Sequence, residues 1–106
     1  MRKITILVLT VLISSIAGAS DLTQESLQGS WLIVEFAGMS HEEDDKWEFE
    51  GNKFYQNLGG RRIAPDEFKI ADNNIDLGYA KIVVKYFDGR RMEANMGGAD
   101  YKLEKQ

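Results

Sequence analysis

Cysteine is absent from this chain, proline occurs once, at Pro65, and histidine once, at His41. Without cysteine there are no disulfides, no thiolate metal ligands and no lipid anchor on an N-terminal cysteine. Small exported domains often rely on disulfide staples. This one must be held by its core, which points to a well-packed barrel or sandwich. Hydroxyl nucleophiles are scarce too. Beyond residue 19 they are Ser20, Ser26, Ser30, Ser40 and Thr23, all before residue 41. Ser40 and His41 are neighbours, and neighbours in an extended loop point apart, so they form no nucleophile–base pair by themselves. No catalytic residue set is expected, and the protein reads as a non-enzyme.

A long hydrophobic span is also missing. Arg2 and Lys3 are followed by a mainly apolar run, residues 4–16, and then by Ala17-Gly18-Ala19. That is the pattern of a signal peptide with an A-x-A cleavage site. The run is shorter than the roughly 20 residues a spanning helix needs. The expectation is therefore a signal peptide over 1–19, one domain over 20–106, and a protein exported to the periplasm or secreted. No membrane span is expected in the mature chain.

Positive charge is in deficit. Losing Arg2 and Lys3 reduces 13 basic residues to 11 against 17 acidic ones, a net of −6. Nucleic acid and anionic membrane surfaces are therefore poor partners, whereas a cationic protein is electrostatically welcome. The acids concentrate in "HEEDD": His41, Glu42, Glu43, Asp44 and Asp45. A structural zinc site wants Cys and His at set spacings, and a calcium loop wants alternating oxygens around a glycine. Neither pattern is present, so no metal is assigned, and the run reads as a solvated acidic loop. "NLGGRR" and "NMGGAD" lie between strands rather than before a helix, which removes the phosphate-cradling reading and leaves no cofactor motif.

What is present is alternation. "KWEFE", "EFKI", "NIDL", "RMEANM" and "YKLE" each set apolar against polar residues with period two, as half-buried antiparallel strands do. "WLIVEF" and "AKIVVKYF" are apolar on both faces, as expected of central strands or strands with a covered outer face. Turn signals at Ala37-Gly38, Gly51-Asn52, Gly59-Gly60, Asp72-Asn73-Asn74, Asp88-Gly89 and Gly97-Gly98 separate these runs. One helix is expected, over 21–28. The stretch "FEGNKFYQNLGG" returns 38 positions later as "FDGRRMEANMGG". Glycine at the shared positions permits the positive φ of tight hairpins, so the repeat reads as scaffold used twice.

"LQGSWLIVE" places a Gly-x-Trp on a first strand after a short helical turn. With "WEFEGNKFYQNLGG", "EFKI", "IDL" and "YKLEK" it resembles small secreted bacterial lipocalin-like (calycin-like) domains. The resemblance implies an all-β fold: a small antiparallel up-and-down barrel of about eight short strands, with Trp31 closing one end. The mature chain is much shorter than a typical lipocalin. Two functions follow as expectations. One is a non-catalytic binding module whose interior, with Trp31, Trp47, Phe49, Phe54 and Phe68, takes a small apolar or amphipathic ligand. The other is a protein-interaction module, an inhibitor or envelope accessory factor, that uses His41, Glu42, Glu43, Asp44 and Asp45 with the hairpin turns. The protein is expected to be a monomer or a homodimer.

Overall fold

The computed structural model describes residues 21–106 except Ala64. The expected signal peptide lies outside the described residues. The first element among the described residues is a helix, α1 (Gln24–Leu27), half the length of the segment expected to be helical. The Thr23 hydroxyl caps the Ser26 N–H at 3.0 Å, and the Ser26 hydroxyl accepts from the Thr23 N–H at 2.9 Å. This reciprocal box satisfies two otherwise orphaned donors. Leu22 and Leu27 flank the box at the positions of a hydrophobic staple, and both are buried in the core.

Eleven strands follow: β1 (Gly29–Phe36), β2 (Met39–Ser40), β3 (Asp45–Glu50), β4 (Lys53–Leu58), β5 (Arg61–Arg62), β6 (Asp66–Glu67), β7 (Lys69–Ala71), β8 (Asn74–Asp76), β9 (Lys81–Phe87), β10 (Arg91–Met96) and β11 (Ala99–Lys105). Every pairing is antiparallel. The sheet runs β5-β4-β3-β1-β11-β10-β9-β8-β7, with β2 beside β1 and β6 beside β4. The fold is therefore all-β and barrel-like, with a sheet that curls on itself. Residues 66–71 serve both of its edges. β6 pairs with β4 through Lys53↔Glu67, and one residue later β7 pairs with β8 through Lys69↔Asp76.

The expected count of eight strands rises to eleven for local reasons. β2 and β5 are two-residue extensions of hairpins. β6 and β7 are separated only by Phe68, whose N–H turns to the Asn52 carbonyl at 2.9 Å. The two doubly apolar runs also have a local cause. β1 carries a bulge between Ile33 and Glu35, and β9 carries one opposite Glu93 and Ala94, where Tyr86 and Val84 are the successive partners. A bulge inserts one unpaired residue and resets the alternation. Trp31 and Ile33 face inward before the first bulge and Phe36 joins the inward row after it. In β9, Ile82, Val84 and Phe87 form the inward row, which leaves Val83 and Tyr86 exposed on the outer face.

The core is a continuous cluster of Leu22, Leu27, Trp31, Ile33, Trp47, Phe49, Phe54, Phe68, Ile75, Leu77, Ile82, Phe87, Met92, Ala94 and Leu103. Cross-strand pairs build it in layers, among them Trp31↔Trp47, Phe49↔Phe54 and Met92↔Phe87. Each large apolar side chain contributes roughly 1.5–3 kcal/mol on burial. This is what replaces the absent disulfides. The 38-residue echo is structural. In both copies an inward Phe pairs with the residue five positions on, Phe49 with Phe54 and Phe87 with Met92. Both copies then turn on Gly-Gly with positive φ, 63° and 96° at Gly59 and Gly60, 65° and 88° at Gly97 and Gly98. That twist matches the strands of a two-residue hairpin.

Helix α1 sits at the end of the sheet where β1 begins. The Trp31 indole N–H donates to the Leu27 carbonyl at 2.8 Å. The Gln28 side chain bridges to the β3–β4 turn, donating to the Gly51 carbonyl and accepting from the Gly51 N–H. The opposite ends of β1, β3, β4 and β11 are left without such a plug.

Candidate functional site

The unplugged end holds a cleft of about 170 Å³ lined by Ile33, Phe36, His41, Asp45, Gln56, Leu58 and Tyr101. Its geometry follows from local sequence. The β1 bulge brings Phe36 onto the inner row, opposite Tyr101. Ala37 and Gly38 adopt positive φ, 55° and 84°, and turn the chain back so that Met39 pairs with Phe36. The His41 N–H then donates to the Val34 carbonyl at 3.0 Å, which anchors the acidic loop over the end of the sheet.

Within the loop, His41 Nε2 lies 2.7 Å from Asp45 Oδ2. Asp45 Oδ1 accepts the Gly59 N–H at 3.0 Å, and the Asp44 carbonyl accepts the same N–H at 3.1 Å. The Gly59-Gly60 turn and the acidic loop are therefore one hydrogen-bonded unit. Glu43 Oε1 stands 3.8 Å from His41 Nε2, with its side chain 82% exposed. Asp44 faces outward and pairs with Lys46 at 3.6 Å. The walls are aromatic and aliphatic. The Phe36 ring meets Tyr101 at 5.0 Å and His41 edge-on at 6.4 Å. Burial pushes the Tyr101 phenol above its ordinary value, so it stays neutral well into alkaline solution. Trp47 lies against Tyr101 at 4.8 Å, and its Nε1–H has no acceptor among the described residues.

Of the five aromatic residues expected to line a ligand cavity, Trp47, Phe49, Phe54 and Phe68 pack against one another, and Trp31 packs against Phe87. Trp31, Trp47, Phe49, Phe54 and Phe68 are all buried. Trp47 meets Phe54 edge-on at 5.8 Å, and Phe49 touches Phe54 and Phe68, each at 5.2 Å. Phe68 borders a groove of about 490 Å³, with Asn52, Glu67, Lys69, Asp76, Leu77 and Gly78. The acidic loop divides. His41 and Asp45 line the cleft, Glu43 stands beside them, and Glu42 and Asp44 face solvent. Ile33, Phe36, Gln56, Leu58 and Tyr101 were not singled out from sequence as site residues. Phe36-Ala37-Gly38 does echo the repeated hairpin, but nothing local says that a bulge turns its ring inward.

His41, Glu43 and Asp45 bring one imidazole and two carboxylate oxygens within 4.8 Å of one another. The sequence reading assigned no metal to this run. One of the carboxylates already holds the imidazole and an amide, and such acidic groupings are common on protein surfaces without an ion. Among the described residues no helix is long and apolar enough to cross a membrane. No family model matches this chain, and neither any curated protein nor any solved structure matches it.

Proposed function

We propose that this protein is an exported, non-catalytic interaction module on a lipocalin-like barrel, contacting a partner protein through the acidic loop 41–45 and the cleft beside it. Taking β6 and β7 as one bent strand, and β2 and β5 as hairpin extensions, supports an up-and-down barrel of eight strands. The observation that carries the reading is the placement of a small apolar cleft beside the acidic loop; the wider groove beside Phe68, about 490 Å³, has a mixed polar rim. Burial of Trp31, Trp47, Phe49, Phe54 and Phe68 in the core supports a small barrel packed with its own side chains. The cleft, at about 170 Å³, is smaller than the roughly 300–1,000 Å³ of ligand-carrying pockets. It is large enough for one side chain of a partner. Phe36 and Leu58, 40% and 46% exposed, border it and supply the apolar centre that protein contacts need.

The test is the triple variant Glu42→Lys, Glu43→Lys, Asp44→Lys, compared with the wild type by cross-linking and quantitative mass spectrometry in the producing cell. A partner captured by the wild type should fall at least tenfold with the variant. Equal capture by both refutes the reading. One observation favours the alternative, a carrier of a small amphipathic ligand. Trp47 Nε1–H has no acceptor among the described residues, and its neighbour Tyr101 and cross-strand partner Gln56 both line the cleft. A stoichiometric small molecule in the native mass spectrum of the purified protein decides for that carrier.

A further inference from the structure

Resting on the interaction reading, we infer that the cleft receives a long basic side chain, lysine or arginine, presented by the partner. Three features of the cleft select that chemistry. Its walls, Ile33, Phe36, Leu58 and Tyr101, suit an aliphatic stem. Two of those walls, Phe36 and Tyr101, are aromatic rings tilted by 58° with centroids 5.0 Å apart, and aromatic walls favour a cation. Its rim is anionic. Asp45 lines the cleft with a side chain only 17% exposed, and Glu43 stands beside His41. The Asp45 carboxylate has committed one oxygen to the Gly59 N–H and the other to His41. A carboxylate accepts about four hydrogen bonds, so room for an ammonium donor remains. Lysine and arginine are the side chains that lay an apolar stem along such walls and keep a charged head at the mouth.

The competing chemistries match less well. An anionic group would meet Glu42, Glu43, Asp44 and Asp45 in one loop. A purely apolar group would leave Asp45 and Gln56 facing it without a polar match. The wider groove beside Phe68 presents Lys69 with Glu67 and Asp76, a mixed rim that selects neither charge. Arg61 is a built-in counterweight. It pairs with Leu58 across the β4–β5 hairpin, on the same side of the sheet, without lining the cleft.

The experiment is an NMR titration of the isotopically labelled full chain with Nα-acetyl-lysine methylamide. The norleucine analogue serves as the neutral probe of similar stem, and the glutamate analogue as the anionic one. The lysine probe should shift the amides of Asp45, Leu58, Gly59 and Tyr101 and bind about threefold or more tightly than norleucine, the scale of a single exposed charge pair. Glutamate should bind more weakly than either. Asp45→Asn should erase the preference for lysine. Because Asp45 also holds Gly59, Glu43→Gln provides a second variant that removes charge without removing a structural bond, and it should reduce the preference. Arg61→Ala should strengthen lysine binding. Equal or tighter binding of norleucine, or no cleft shifts with lysine, overturns the inference. If the charge-reversed loop still loses its partner in the cell, the interaction reading survives that failure.

Discussion

Trp31 and Trp47 provide a matched pair of perturbations. They face each other across β1 and β3, and neither is exposed to solvent. Replacing either by Phe removes the same atoms from the same core, so the packing loss is similar for both. The indole N–H is what differs. Trp31 donates to the Leu27 carbonyl at 2.8 Å, whereas Trp47 Nε1–H has no acceptor among the described residues. Trp31→Phe gives up its hydrogen bond and leaves the Leu27 carbonyl without that donor, at roughly 1–3 kcal/mol. Trp47→Phe removes an unsatisfied donor and recovers a penalty of about the same 1–3 kcal/mol. The two variants should therefore differ by about 2–6 kcal/mol, with Trp31→Phe the less stable. In a domain of this size that corresponds to at least about 8 °C in Tm. Urea unfolding followed by circular dichroism, with equal m-values, is the assay. Equal destabilisation by the two substitutions would refute the reasoning, because Trp47 Nε1–H must then have an acceptor that its removal orphans.

Three further outcomes follow from the same structure. Gly97 has φ 65° and open space where a Cβ would stand, so Gly97→Ala should cost about 1–2 kcal/mol from backbone conformation alone, and Gly97→Asn less; thermal melts of the two variants check the order. Thr23→Ala breaks the reciprocal cap of α1 and should cost about 1 kcal/mol in the same assay, with Thr23→Ser largely neutral. Asp88 is held below the usual carboxylate range by the backbone N–H groups of Arg90 and Arg91, and Asp100 by Asn95 and then Lys85. A depressed native pKa gives stability that is complete above the unfolded value, near 4, and is lost as pH falls through the native one. Unfolding midpoints should therefore drop below about pH 4, and Asp88→Asn with Asp100→Asn should flatten that drop. An unchanged slope in the double variant counts against the assignment.

Much of the scaffold was legible because it is local. The period-two runs gave the strands, and their inward rows were read correctly for Trp47 and Phe49, Phe68 and Ile70, and Met92 and Ala94. Ala37-Gly38, Gly59-Gly60 and Gly97-Gly98 were marked as turns, and in each both residues have positive φ; in Asp72-Asn73-Asn74 the first two do, and Asn74 already begins β8. The two doubly apolar strands were harder. A bulge has no signature in a single chain, so Val34 and Lys85 as unpaired insertions could not be anticipated. The short helix was overestimated at both ends: the Thr23 cap starts it at Gln24, and Gln28 has already left helical geometry, with ψ 137°.

The sequence by itself determined the antiparallel all-β class, the hairpin turns, the reliance on an aromatic core and the acidic loop, since each depends on residues close together in the chain. Only the tertiary structure decided that the five aromatics are buried in the core, and that an apolar cleft lies beside the acidic loop at the far end from α1. Its walls come from Ile33 and Phe36 in β1, Gln56 and Leu58 in β4 and Tyr101 in β11, under His41 and Asp45. Those residues meet through strand register and one bulge. A side chain's face in a sheet changes with every one-residue shift of that register, and pairing across dozens of residues, not local propensity, sets it.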